Sequence, residues 1–245
     1  PGARCDVAVL EAPVDPNELV EHVLRSQPVL MRGEAAAYKF RKRFRKETFL
    51  KRHGRRSIKV STVPYGSQFG LASDVEMTLA EFVSGFNGSA AGGAPRYAFT
   101  NTFADEHPEI RKDFDALPGV AQGASINGGG FRVTAHQFFL GPPDSGASMH
   151  FHQDALNALA YGRKRWLMLP PPRAVYSKRH PLELLDDERY LAGGDLETWE
   201  CMQEAGDIMY VPNHWAHATI NIEESIGVAY EFGINGKTMH SFDVK

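Results

Sequence analysis

The chain has 245 residues, 42% hydrophobic and 23% charged, with a formal net charge of −3. That balance excludes an intrinsically disordered chain, which carries fewer apolar and more charged residues. No apolar run reaches the roughly 18 residues of a membrane-crossing helix. Gly (23) and Pro (15) cluster in short punctuations, favouring many short strands joined by turns, and an all-β unit of this length is common as one domain.

Asp15-Pro16-Asn17-Glu18 opens a helix: Asp caps, Pro suits the first turn, and Glu three residues on completes a capping box. Leu19, Val20, Val23 and Leu24 give it one apolar face. Val29-Leu30-Met31 reads as a buried strand ending at Gly33. Lys39 to Arg56 holds ten Lys or Arg and one Glu, a local charge of +9 that leaves −12 elsewhere. Phe40, Phe44, Phe49 and Leu50 lie near helical spacing, so the run reads as an amphipathic helix with a solvated charged face. Its alternative is a docking surface for nucleic acid or an acidic partner. Ser57 to Val63 alternates as a strand, Thr78-Leu79-Ala80-Glu81 is a second capping box, and Gly88 to Ala94 reads as a flexible surface loop.

From Arg96 the texture changes. Arg96 to Thr100 reads as a strand and Pro108 to Leu117 as a short helix. Strands are expected at 131–140, 148–152, 157–161, 165–169, 207–211, 216–221 and 225–232, separated by turn signals such as Gly141-Pro142-Pro143 and Pro212-Asn213. Seven or eight strands after a helical N-terminal part predict a β-sandwich or barrel with helices on one side.

Ser148-Met149-His150-Phe151-His152-Gln153-Asp154 carries the chemistry. Residues two apart on a strand share a face, so His150, His152 and, if the strand continues, Asp154 project together. Asn213-His214-Trp215-Ala216-His217 follows another strand and supplies a distant imidazole from His217. Two imidazoles and a carboxylate with open positions suit ferrous iron, whereas a structural zinc would want a closed tetrahedron, commonly with Cys. Cys5 and Cys201 show no CxxC spacing. They read either as two buried thiols or as one long-range disulfide.

Asn157-Ala-Leu-Ala-Tyr-Gly162-Arg-Lys164-Arg-Trp166 follows the histidine pair, and its Gly-x-Lys-Arg turn resembles that of the JmjC family. The segments Leu140–His150, Pro95–Asn101 with Tyr97, and Gly206–Asn221 with His217 are similar to those of a member with arginine-demethylase and lysyl-hydroxylase activity. The resemblance covers roughly residues 95–233. It implies a mainly β, double-stranded β-helix (jelly-roll, cupin-like) fold with N-terminal flanking helices. One domain over 1–245 is expected, with 1–94 as support and 95–235 as core.

The resemblance further implies an iron- and 2-oxoglutarate-dependent oxygenase hydroxylating a protein or peptide side chain. Fe(II) would be held by His217 together with His150 and His152 or, in a shifted register, with Asp154 paired with His152 or His150, and no further catalytic group is needed. Tyr97, Asn157 and Lys164 would bind 2-oxoglutarate, Lys164 as a mobile cation reaching its distal carboxylate. His152 stands where the family has Asp or Glu, and Ala147 and Ala229 replace cosubstrate-holding threonines. These departures keep open an inactive metal-binding or protein-interaction module, and a cupin-type metal enzyme without 2-oxoglutarate. Weaker N-terminal similarity, including both cysteines, to a family member of the endoplasmic-reticulum lumen implies a secretory location and a Cys5–Cys201 bridge; cytoplasm or nucleus is the alternative. Oligomeric state and substrate identity are not encoded in any motif.

Overall fold

The computed structural model describes residues 4–64, 70, 74–88, 94–185, 187 and 198–234. In the N-terminal third, strands β1 (Ala8–Glu11), β2 (Val29–Arg32), β3 (Ser57–Val60) and β4 (Val75–Thr78) are interleaved with helices α1 (Pro16–Arg25), α2 (Lys39–Arg43), α3 (Lys46–His53) and α4 (Leu79–Ser84). The remainder is built from β5 (Ala98–Thr100), β6 (Ser125–Ile126), β7 (Gly129–Gly141), β8 (Gly146–His150), β9 (Ala155–Tyr161), β10 (Arg163–Leu169), β11 (Trp199–Glu204), β12 (Ile208–Val211), β13 (Ala216–Asn221) and β14 (Ser225–Ile234).

Both capping boxes form. The Asp15 carboxylate accepts from the Asn17 N–H at 2.8 Å, and Glu18 reaches back to the Asp15 N–H at 3.2 Å. Thr78 and Glu81 make the equivalent exchange at the start of α4. The basic segment is not one helix: α2 and α3 break at Phe44-Arg45. Phe40 and Phe44 are four apart and share a helical face, but Phe49 is five further on and would rotate off it. The break returns Phe49 to the core, stacked on Phe138 with ring centroids 5.7 Å apart. The expected helix over 108–117 is a single turn, Pro108–Arg111. The loop expected over 88–94 lies mostly outside the described residues.

An eight-stranded sheet runs β1-β2-β12-β9-β14-β7-β5, with β6 on β7. A four-stranded sheet runs β11-β10-β13-β8, and β3-β4 form a separate hairpin. The two larger sheets make the mainly β, double-stranded β-helix of a cupin-like jelly-roll, with the N-terminal helices outside it. Strand alternation sets which side chain faces which layer. Leu156, Ala158 and Ala160 of β9 join Phe138, Phe44, Phe49 and Leu19 beneath the helices. Leu159, on the other face of the same strand, packs with Tyr97, Phe139 and Ala147. Trp166 and Met168 of β10 meet Met209, Val211 and Leu30 between the sheets. A disulfide joins Cys5 to Cys201 of β11, 196 residues apart.

Candidate metal centre

β8 and β13 are antiparallel neighbours, and their register sets His150 opposite His217. Their close approach depends on Gly146, where a Cβ would fall 1.8 Å from the Thr219 carbonyl oxygen. β8 ends at His150, so His152 lies in the following turn and not on the strand expected over 148–152. It converges nonetheless. One ring nitrogen from each of His150, His152 and His217 lies within 4.8 Å of the others.

The ring nitrogens facing outward are all engaged. Nδ1 of His150 donates to the Ser148 carbonyl at 2.7 Å, Nδ1 of His152 to Gln153 at 2.7 Å, and Nδ1 of His217 to Trp215 at 3.0 Å. A carbonyl only accepts, so each Nδ1 carries the proton and each Nε2 keeps its lone pair. The His150 Nε2 is buried without a partner. Burial, helped by the neighbouring His152, pushes His150 down to about 4. Burial and the other two imidazoles drive His217 well below its usual value. Three imidazoles, each with its Nδ1–H tied to a backbone carbonyl, are a donor set for a divalent cation, so a metal ion fits.

Asp154, the alternative second ligand, does not join this cluster. Its side chain is buried, and its Oδ1 accepts from the Tyr210 hydroxyl at 2.6 Å and the Asn213 N–H at 3.2 Å. Burial raises its carboxyl above the usual range, against those two hydrogen bonds. The expectation that it shares a face with His150 and His152 fails because the chain leaves the extended conformation after His150.

The histidines line a small inner pocket of about 20 Å³ together with Tyr97, Asn157, Trp166 and Thr219. Ala147 and Ala229 also line it. Asn157 Oδ1 is buried there without a partner. Lys164 sits behind this wall, fully buried, with Nζ donating to the Tyr97 hydroxyl at 2.8 Å and to Asn221 Oδ1 at 2.7 Å. Register places it directly opposite Asn221 of β13. Desolvation lowers it to about 7. The space suits one ion or water. A wider pocket of about 460 Å³ adjoins it, sharing Phe99, Ala147, His150 and His152 and adding Phe151, Tyr176 and Glu231.

Thr219, Trp166, Asn221 and the Tyr210–Asp154 contact carried no sequence motif of their own. Thr219 and Asn221 were legible only as alternate positions on the strand that begins at His217. Five of the ten basic side chains in the segment pair with carboxylates: Lys39 with Asp115, Arg43 and Arg52 with Asp113, Lys46 with Glu224 and Arg56 with Glu109. Among the described residues no helix is long and apolar enough to cross a membrane.

A family model described as a cupin-like domain matches residues 16–232. Over 232 residues the chain is 24% identical to JmjC domain-containing protein 8 of Mus musculus, covering 94% of this chain and 83% of that protein. It is 26% identical over 161 residues to the bifunctional arginine demethylase and lysyl-hydroxylase psr-1 of Caenorhabditis elegans, covering 57% of this chain and 40% of that one. It is 28% identical over 113 residues to the 2-oxoglutarate and iron-dependent oxygenase JMJD4 of Gallus gallus, covering 40% and 26% respectively. Jelly-roll, paired histidines and similarity over nearly the whole chain agree: this chain belongs to the cupin-like domain family, as a JmjC-type member.

Proposed function

We propose that the chain is an iron- and 2-oxoglutarate-dependent oxygenase that hydroxylates a protein side chain. The observation that supports this most is the trio of imidazoles, each with Nδ1–H tied to a backbone carbonyl and Nε2 left for a shared cation. The similarity to a named 2-oxoglutarate and iron-dependent oxygenase points the same way. Ferrous iron, when bound, supplies oxygen activation coupled to decarboxylation of the diacid. The chain's own residues orient and exclude. Trp166 and Val211 wall the inner pocket with apolar surface, and Tyr97 closes it towards Lys164. Lys164, whose amine now donates to Tyr97 and Asn221, would hold a carboxylate of the diacid. The substrate side chain approaches through the wider pocket, past Phe99, Phe151 and Tyr176. A secretory location belongs to the same reading, supported by the Cys5–Cys201 disulfide.

A second reading, a metal-binding module without turnover, draws on specific features: the inner pocket is small, Lys164 is already satisfied, and among the described residues no carboxylate joins the histidines. One experiment separates them. Purified protein is incubated with Fe(II), ascorbate, oxygen and 2-oxoglutarate, and succinate is followed by NMR. Iron-dependent succinate formation that His217→Ala abolishes supports the oxygenase. Tight metal binding with no succinate at high protein concentration supports the module.

A further inference from the structure

We propose that Asp154 is a positioning residue, whose carboxylate clamps the two chain segments carrying His152 and His217 into one metal-binding geometry. The inference rests on the metal-site reading above. His150 and His217 are held by the β8–β13 ladder, but His152 lies in a turn outside it. Something else must fix that turn against the segment leading into β13. Three hydrogen bonds do so, and two of them end on one oxygen. Asp154 Oδ1 accepts from the Tyr210 hydroxyl, at 2.6 Å, and from the Asn213 N–H, at 3.2 Å. The third runs from the His214 N–H to the His152 carbonyl, at 3.2 Å. The Phe232 N–H anchors the Asp154 carbonyl to β14 at 2.9 Å, so the clamp is seated on the larger sheet.

Two further features show that this joint is held against local preference. His214 adopts φ 63°, a left-handed conformation uncommon for a residue other than glycine. Asp154 is only 4% exposed, and a buried carboxylate is costly unless its hydrogen bonds are made. Outer hydrogen-bond partners of this kind orient metal ligands and commonly govern affinity. The sequence offers Asp154 as a ligand, whereas the geometry gives its Oδ1 to Tyr210 and Asn213.

Asparagine separates the two roles. The side chain of Asp154→Asn keeps an Oδ1 that accepts from both donors, but an amide is a poor metal ligand. Co(II) is titrated into the parent protein, Asp154→Asn, Asp154→Ala and Tyr210→Phe, with affinity and the visible d–d bands recorded. The clamp predicts that Asp154→Asn keeps the parent's affinity and spectrum. It predicts that Asp154→Ala loses about tenfold to a hundredfold in affinity, with Tyr210→Phe between them. Equal loss in Asp154→Asn and Asp154→Ala overturns it, because the charge would then be acting on the metal. Parent-like affinity in Asp154→Ala overturns it as well. If Asp154→Ala does not fold, Tyr210→Phe, which removes one donor and keeps the ring, carries the test alone. If the parent binds no Co(II), the metal reading fails, and the clamp is read from the metal-free protein. There, a His152 Nδ1–H signal seen in the parent and lost in Tyr210→Phe supports it, and its persistence in Tyr210→Phe overturns it.

Discussion

Replacing Lys164 by methionine isolates the group that the proposed cosubstrate must recruit. In the folded chain the amine is fully buried, hydrogen-bonded to two neutral groups, and lowered by desolvation from 10.5 to about 7. The native state therefore releases this proton near pH 7, while the unfolded state holds it until about pH 10.5. Between those values the unfolded chain binds one more proton, so stability rises with pH. The gain is about tenfold in the folding constant per pH unit, or about 5 kcal/mol over the whole window. Below pH 7 both states are protonated, the slope vanishes, and the cost of the buried charge is felt in full. Methionine fills a similar volume, removes the titration, and leaves Tyr97 and Asn221 each short of one hydrogen bond, at roughly 1–3 kcal/mol for each group left unsatisfied. Urea unfolding of parent and Lys164→Met from pH 6.5 to 9.5 gives the difference directly. The parent should gain on the variant steadily above pH 7. Parallel profiles across that range would refute the burial argument, and with it the lowering of the Lys164 amine.

The same titration predicts that affinity for N-oxalylglycine, a 2-oxoglutarate analogue, falls above pH 7, because Lys164 must regain a proton on binding; calorimetry in two buffers should show proton uptake near pH 8. Gly146→Ala should push β8 off β13, since the new methyl would meet Thr219 oxygen at 1.8 Å; metal binding should be lost with a large drop in thermal midpoint. Phe44→Ala, at a fully buried ring contacting Phe40, Phe49 and Phe138, should cost about 3–5 kcal/mol in chemical denaturation. Reduction of Cys5–Cys201 should lower the midpoint of unfolding, because the bond constrains a span of 196 residues in the unfolded chain; Cys201→Ser should show no further change on adding reductant.

Strong local signals in the sequence survived into the structure, and signals that depend on distant pairing did not. The two capping boxes and the strands from β7 to β14 other than β11 were readable because each is specified within a few residues. The convergence of His150 with His217 was readable from motif order, and the period-two argument held for His152 beside His150 but failed for Asp154. Extended backbone stops at His150, and what turns Asp154 aside is Tyr210, 56 residues later. β11 was missed because Trp199–Glu204 alternates poorly; it is a strand because β10 offers it a partner. β1 was missed for a related reason: four mostly exposed residues gain strand structure only by lying parallel to β2. The basic run looked like one helix by charge and composition, and only the five-residue step from Phe44 to Phe49 betrayed the break. The resemblance offered Lys164 as a mobile cation; in the fold it is buried, and its partner Asn221 follows from a register that no single segment encodes.

The central claim is that three imidazoles, from β8, the turn after it and β13, grip one cation. X-ray absorption at the metal edge of anaerobically loaded Fe(II) protein measures this most directly. The account predicts three imidazole nitrogens in the first coordination shell, falling to two in His152→Ala. A shell with fewer than three imidazoles in the parent, or one unchanged by removing His152, would contradict it.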